Sequence, residues 1–542
     1  MKNTQKAPSA KARNAKHKKD KRIMADSRIQ KTLLNARINT ICYLVSLVVA
    51  FFTRRVLLDN LGANFLGLTG TLSSLLGFLN LAELGIGTAI GYTLYKPLFD
   101  KDRSKINEII SLLGYLYRCI GIFILAAGVI LSLFLPLIFP DSSISFGVIY
   151  FGYYSYIFAS LLGYFVNYKM TLLAADQRNY IITGYFQLTT TVKVIMQMML
   201  AIYFHNFYLY LAIEIIFGII NSTILNHKIR KTYPWLKSEI KLGRKLLDKY
   251  PEIIKYTKQI FIHKIGTFAQ FQITPFLIYA FASLTTVALY GNYTLITQKV
   301  SNFLGGIVDS AAAGIGNLIA EGKKEHIYNT YKELFALRFL VVGIISLCIF
   351  HLSTPFVGIW LGDEYMLPQA FIFIVSLQFF LSLFAGIYHS FLQGHGLFHD
   401  VWAPVAETIL LVTVSIILGY KWGYLGVLCG PLFAQCVIIH IWKPIFLYTQ
   451  GFKQPLYKHA ILVTKHALPL LAGYFIARYS ADYILGCCTI ENNWLNWIAL
   501  SAVFTIIISI SAGGLMLIAS EGLRSFTLRI INKKRYESSL FS

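Results

Sequence analysis

Acidic side chains are scarce in this chain: 25 Asp and Glu stand against 49 Lys and Arg, a formal net charge of +24 over 542 residues. Charged residues of both signs reach only 14%, against about 25% in soluble domains. With 56% hydrophobic residues, too little polar side chain remains to clothe a water-soluble globule, so lipid is the implied solvent. Cysteine is nearly as sparse. Of seven, Cys42, Cys119, Cys348, Cys429 and Cys436 sit inside apolar runs as small hydrophobes, while Cys487 and Cys488 are sequence neighbours, a geometry that disfavours a mutual disulfide. No Cys-x-x-Cys spacing occurs, which argues against a thiolate metal centre, and no metal or organic cofactor is expected. Gly85, Gly87 and Gly91 neither follow a strand nor open a βαβ unit, so a dinucleotide loop is excluded. A cleavable signal peptide is not expected, because the charged leader is too long and no small-residue cleavage site follows an apolar core.

What is abundant is apolar sequence in long runs. A spanning helix needs about 20 apolar residues to cross roughly 30 Å of hydrocarbon. Fourteen such runs are read at residues 37–58, 66–94, 109–138, 147–171, 180–204, 207–227, 259–283, 287–319, 331–352, 367–392, 401–420, 422–448, 461–485 and 494–519. The expected fold is an all-α polytopic membrane protein. Lys and Arg resist transfer across a bilayer and stay on the cytoplasmic side. Forty of the 49 fall in the two tails, at the mouth of the first span, or in loops 96–105, 169–178, 228–258, 321–332 and 443–465. The intervening loops hold Pro140-Asp141-Ser142-Ser143, the stretch around Asp363-Glu364 and Glu491-Asn492-Asn493, with Lys421 as their clear cation. This alternation predicts that both termini are cytoplasmic, and it directs the positive charge toward lipid head groups rather than nucleic acid. Residues 1–36, whose acids are Asp20 and Asp26, read as a basic cytoplasmic tail that enforces orientation or touches anionic lipid; residues 28–37 have the pattern of a short surface helix.

The chain also repeats weakly. Residues 66–117 run Leu-Gly-Leu-Thr-Gly, then Gly-Ile-Gly-Thr-Ala-Ile-Gly, a charged loop and Leu116-Tyr117-Arg118; residues 287–339 run Val-Ala-Leu-Tyr-Gly, then Ala-Gly-Ile-Gly-Asn-Leu-Ile, a charged loop and Leu337-Arg338-Phe339. Six spans precede the basic loop 228–258 and six follow it in the same order. The expected domains are a six-helix lobe over 37–227, a second over 259–448, two appended spans within 449–519 and a cytoplasmic tail over 520–542. Parallel repeats of this kind suit alternating access.

Ionisable groups inside spans cost on the order of 3 kcal/mol each on insertion scales, so a buried one has a partner or a purpose. The cations at such positions are Arg54, Arg55, Arg118, Lys193, Lys264, Lys299 and Arg338; the acids are Glu83, Glu214, Asp309 and Glu407. One reading is a wet cavity in which the cations hold an anionic substrate, a phosphate or diphosphate by preference because guanidinium matches phosphate oxygens bidentately. The other is that they pair with the acids or snorkel to the interface. Arg54, Arg55, Arg118, Lys193, Lys264 and Lys299 are the candidate substrate-binding residues; Lys264 and Arg338, near cytoplasmic ends, also suit anchoring. Glu83, Glu214, Asp309 and Glu407 are candidates for coupling to a proton or sodium ion, with a fixed ion pair as the alternative. Tyr290 and Tyr293 could stack on sugar rings or simply pack.

The stretch Arg54-Arg55-Val56-Leu57, Leu61-Gly62-Ala63-Asn64-Phe65-Leu66-Gly67-Leu68 and Leu81-Ala82-Glu83-Leu84-Gly85-Ile86-Gly87-Thr88-Ala89-Ile90, ending in Tyr95-Lys96-Pro97-Leu98, resembles bacterial polysaccharide flippases, the O-antigen, capsule and exopolysaccharide translocases of the multidrug/oligosaccharidyl-lipid/polysaccharide exporter superfamily. The fourteen-span layout resembles that family as well. The resemblance implies a transporter, not an enzyme, that moves an undecaprenyl-diphosphate-linked oligosaccharide to the outer leaflet of the bacterial plasma membrane. It also implies a place for Arg54 or Arg55 as the family's basic residue at the end of the first span, and glycosyltransferases and a polysaccharide polymerase as functional partners. Rival readings are a drug or organic-cation antiporter of the same superfamily, disfavoured by the cation excess, and a membrane polysaccharide ligase or polymerase, disfavoured by short outer loops.

Overall fold

The structure is a computed structural model that describes residues 10–83, 85–140, 143–176, 178–308, 315, 318–319, 322–397, 399–486 and 493–540; side chains are described from Arg37 to Ile531, outside 262–271, 305–308 and a few isolated positions. Every element among the described residues is a helix. Among the described residues, nine helical stretches are long and apolar enough to cross a membrane by length and composition. The chain divides into two compact units, one of Met1–Phe65 with Leu75–Phe261 and the other of Leu66–Ser74 with Ile262–Ser542.

Two of those stretches are too long to be single crossings. Thr40–Leu79 has 40 residues and Trp402–Phe452 has 51, which as straight rods would be about 60 and 75 Å long. Each is broken by one glycine in a conformation that side chains rarely adopt: Gly62 at φ 80°, ψ 163°, and Gly423 at φ 58°, ψ −142°. The second break is a full reversal. Ser415 Oγ donates to the Val427 carbonyl over 2.8 Å, although twelve residues of continuous helix would hold them about 18 Å apart. The arms touch backbone to backbone, since a Cβ on Gly426 would stand 1.9 Å from the Leu418 carbonyl oxygen and one on Gly430 would stand 2.5 Å from the Leu411 carbonyl oxygen and 2.7 Å from Ser415 N. Spans expected at 401–420 and 422–448 are therefore the arms of one hairpin, which continues through π-helical turns at Gln435–Trp442 and Leu447–Phe452.

In the first unit, the helix from Ala10 runs unbroken into the first apolar run, so the surface helix read over 28–37 is continuous with both the basic tail before it and the span after it. A helix over Arg103–Ser132 starts at Asp102, whose side chain accepts from Lys105 N over 3.0 Å, a local satisfaction of one free helix-end donor. Helices Asn179–Phe204 and Phe207–Thr232 form a tight antiparallel pair: His205 leaves the first at φ 50°, and Asn206 caps the second by accepting from Tyr208 N and Leu209 N. The basic segment 228–258 folds back on Arg103–Ser132. Lys237 N donates to Asn107 Oδ1, Glu239 N to Ser111 Oγ, and Lys249 and Tyr250 to Glu108. Burial and the neighbouring Glu108 push the Tyr250 phenol up, so it remains a hydrogen-bond donor.

In the second unit, Lys324–Leu361, Gln369–Phe384, Gly386–Gly394 and the hairpin share an aromatic core around Tyr331, Phe335, Phe384, Tyr388, Phe391 and Tyr448. Tyr457–Gly486 and Asn493–Ala519 contribute Leu470, Tyr474, Phe504 and Ile508 to the same core. The two helices meet where Gly473 faces Ala512, a contact too close for any larger residue.

Candidate functional site

The second apolar run, expected as one helix over 66–94, is interrupted at its middle. The helix ends at Leu79, Asn80–Glu83 form one 3₁₀ turn, and a new helix runs Ile86–Asp100. Gly85 lies between them at φ 102°, and a Cβ there would meet the Thr257 carbonyl oxygen at 2.9 Å. Glycine is thus required twice over, for its left-handed backbone and for the approach of the helix Pro251–Phe281. The break turns Asn80 and Glu83 into the interior of the first unit. Glu83 Oε1 accepts from Tyr117 Oη over 2.6 Å, and Glu83 Oε2 accepts from Tyr164 Oη over 2.8 Å. Tyr164 Oη also lies 3.1 Å from Asn80 Oδ1, which accepts from Ser160 Oγ over 2.8 Å.

Two phenols, rather than an ion pair among the described residues, therefore hold this carboxylate. Hydrogen bonds to a charged group contribute about 1.5–3 kcal/mol each, enough together to offset a carboxylate's insertion cost of roughly 3 kcal/mol. The arrangement also accommodates the neutral acid. With Glu83 protonated, Tyr164 can turn its hydrogen fully to Asn80 Oδ1 and accept from the carboxyl. No heavy atom needs to move for that exchange of hydrogen bonds. Interrupted membrane helices supply such ion sites in transporters of several folds.

The second polar cluster is built by the pair Asn179–Phe204 and Phe207–Thr232. Their tight turn brings Lys193 and Glu214 level across the interface, and Lys193 Nζ donates to both Glu214 oxygens at 2.9 Å. Gln197, one turn on from Lys193, donates to Glu214 Oε1 over 3.1 Å. A cavity of about 200 Å³ opens beside the pair, lined on its polar side by Asn167, Thr189, Thr190, Asn221 and Ser222. Thr189 Oγ1 donates to Asn221 Oδ1 and Asn167 Nδ2 to Ser222 Oγ, so the wall is ordered. Arg54 is half-buried on the first helix and lies in the field of Tyr210, which also faces Glu214.

The remaining candidates are dispersed. Arg55 is exposed and sits 3.7 Å from Asp59 one turn along its own helix. Arg118 is exposed on Arg103–Ser132, with Tyr168 nearby. In the second unit Lys299 is half-buried on Leu284–Val308. Glu407 is half-buried and in the field of Lys443, itself bound to Asp400 at 2.5 Å. Arg338 is buried, donates from Nε to the Leu383 carbonyl and packs on Gly386, which has no room for a side chain. Tyr293 is buried and accepts from Leu367 N, with its ring against Phe371, so it serves packing rather than an open sugar platform. The Lys264 side chain and Asp309 lie outside the described residues.

Lys193 and Glu214, read from sequence as a substrate cation and a coupling acid or else as partners in an ion pair, pair with each other. Tyr117, Tyr164, Thr189, Gln197 and Asn221 escaped sequence reasoning. The recoverable signal was Thr189, Lys193 and Gln197 at four-residue spacing, a polar stripe along one side of the helix.

No protein-family model matches this sequence, and no curated protein matches it. Solved structures do. The chain is similar to the lipid II flippase MurJ in an inward closed conformation, at 13% identity and TM-score 0.58, over 88% of this chain and 98% of that one. It is also similar to an inward-facing multidrug resistance MATE family transporter of the MOP superfamily, at 13% identity and TM-score 0.57, over 75% of this chain and 95% of that one. At such identity the likeness is one of fold. This chain is a multi-pass, all-helical membrane protein with the fold shared by those two transporters.

Proposed function

We propose that the protein translocates an undecaprenyl-diphosphate-linked oligosaccharide from the cytoplasmic to the outer leaflet of a bacterial plasma membrane by alternating access, with both termini cytoplasmic, for assembly of a cell-surface polysaccharide. The observation that carries this reading is the sign of the charge placed in the spans of a flippase-type fold: outside the basic loops, the cations Arg54, Arg55, Arg118, Lys193, Lys264, Lys299, Arg338 and Arg478 outnumber the acids Glu83, Glu214, Asp309, Glu333, Glu407 and Asp482. A diphosphate carries the complementary charge; an organic cation does not. Arg54, Arg118, Lys264 and Lys299 are the proposed phosphate ligands, chosen for their positive charge in the spans; Lys193 pairs with Glu214, Arg55 with Asp59, and Arg338 donates to the Leu383 carbonyl. Glu83 is the proposed coupling group, binding a proton in one state of the cycle, and the glycan polymerase and glycosyltransferases act before and after transport.

The test is transport by the purified full-length chain in liposomes that carry a fluorescent undecaprenyl-diphosphate oligosaccharide in one leaflet. Movement to the other leaflet above empty liposomes, accelerated by a proton gradient, is the expected result. No movement, together with gradient-driven efflux of an organic cation, would establish the antiporter instead. That second reading draws on Glu83 itself, since a dehydrated carboxylate also suits a cationic ligand.

A further inference from the structure

The last helix, Glu521–Leu540, begins one residue after the membrane-spanning helix Asn493–Ala519 ends, with Ser520 as the single non-helical link. The link is rigid. Ser520 is buried, its Oγ lies 2.9 Å from His466 Nε2, and it accepts from Leu523 N. One face of the helix is then locked to the first turns of Lys324–Leu361. A Cβ on Gly522 would stand 2.4 Å from the Lys332 carbonyl oxygen. Glu333, only 3% exposed, accepts from Ser525 Oγ over 2.6 Å and from Arg529 Nη2 over 2.7 Å. The helix is therefore held beside the C-terminal end of one apolar helix and the first turns of another.

Its other face has a composition unsuited to water alone. Arg524, Leu528 and Ile531 form one exposed stripe at helical spacing, with Leu528 58% and Ile531 46% accessible. Lys533, Lys534 and Arg535 follow in sequence, and Arg524, Arg529 and these three outnumber the acids Glu521 and Glu537. Leucine and isoleucine interleaved with cations is the pattern of a helix lying in the head-group layer, its apolar groups dipped toward the acyl chains and its ammonium and guanidinium groups on phosphates. We propose that Glu521–Leu540 is a surface-lying helix that binds anionic lipid head groups, with Arg524, Leu528 and Ile531 on its lipid side and the basic sequence at 533–535 adding electrostatic attraction. Arg529 is committed to Glu333 and takes no part.

The experiment uses the full chain in nanodiscs, with a bimane fluorophore on a Leu528→Cys variant whose native cysteines are replaced. Quenching by doxyl-labelled lipid is compared in discs of phosphatidylcholine alone and discs containing phosphatidylglycerol. The expected result is a blue-shifted emission that is quenched, with stronger quenching in the anionic discs, and loss of that excess in a Lys533→Ser, Lys534→Ser, Arg535→Ser variant. Emission at the water wavelength without quenching would overturn the proposal, as would equal quenching in the two lipids. A signal that vanishes when discs hold a single protomer would also overturn it, by assigning the face to a second copy of the chain.

Discussion

Tyr164 stands between two acceptors, 2.8 Å from Glu83 Oε2 and 3.1 Å from Asn80 Oδ1, and shares one hydroxyl hydrogen between them. That geometry lets the break in the second apolar run accommodate Glu83 charged or neutral. Glu83→Gln should insert normally and lose the acceleration of transport by a proton gradient, because an amide cannot release a proton. Flux measured with and without the gradient checks this; undiminished acceleration would remove Glu83 from the coupling role. Tyr164→Phe should weaken the coupling and cost about 1–3 kcal/mol of stability, as one charge-assisted hydrogen bond is lost.

Gly85 and Gly62 both have positive φ, yet their surroundings differ. A Cβ at Gly85 would strike the Thr257 carbonyl, whereas one at Gly62 meets nothing within 4 Å. Gly62→Ala should cost only the penalty of a backbone conformation that is essentially restricted to glycine, about 1–3 kcal/mol. Gly85→Ala adds a backbone clash and should prevent the helix ends from meeting. Thermal melts of the two purified variants, ranked against each other, decide the point.

Removing Lys193 should damage folding before it damages transport. The Glu214 carboxylate would be left without its cation, and breaking a buried pair from one side costs about 3–5 kcal/mol, somewhat less here because both side chains keep partial access to the cavity. Lys193→Ala with Glu214→Gln should recover most of the loss. A double-mutant cycle that returns no coupling would contradict the pairing.

Arg118 offers the cleaner probe of substrate charge. Its side chain is exposed, so Arg118→Ala should leave the melting temperature within the small range typical of surface changes, about 0.5 kcal/mol. Transport of the diphosphate-linked glycan should fall severalfold. An unchanged rate would strike Arg118 from the proposed phosphate ligands.

The membrane class, the all-helical fold and the crossings flanking Gly423 were legible because lipid imposes long apolar runs and excludes Lys and Arg from alternate loops. The interruption at 80–85 was not. A 3₁₀ turn flanked by Leu79 and Ile86 is as apolar as the helix it breaks, and glycines there read equally well as close packing, which Gly85 also provides. The partnership of Lys193 with Glu214 was hidden for another reason: 21 residues separate them, and only the turn at His205 and Asn206 brings them level. Sequence lists intramembrane charges, but which of them neutralise one another is decided by tertiary register.

The glycine-lined hairpin has a mechanical consequence. Main chains in direct contact, as at Gly426 with Leu418 and Gly430 with Ser415, leave no side-chain layer to slide, so the two arms must travel as one strut. Any rearrangement involving them has to be taken up beyond their ends. Gly396 at φ 68° and Lys453 at φ 53° bracket the strut in the left-handed region, and they are the joints about which it would pivot.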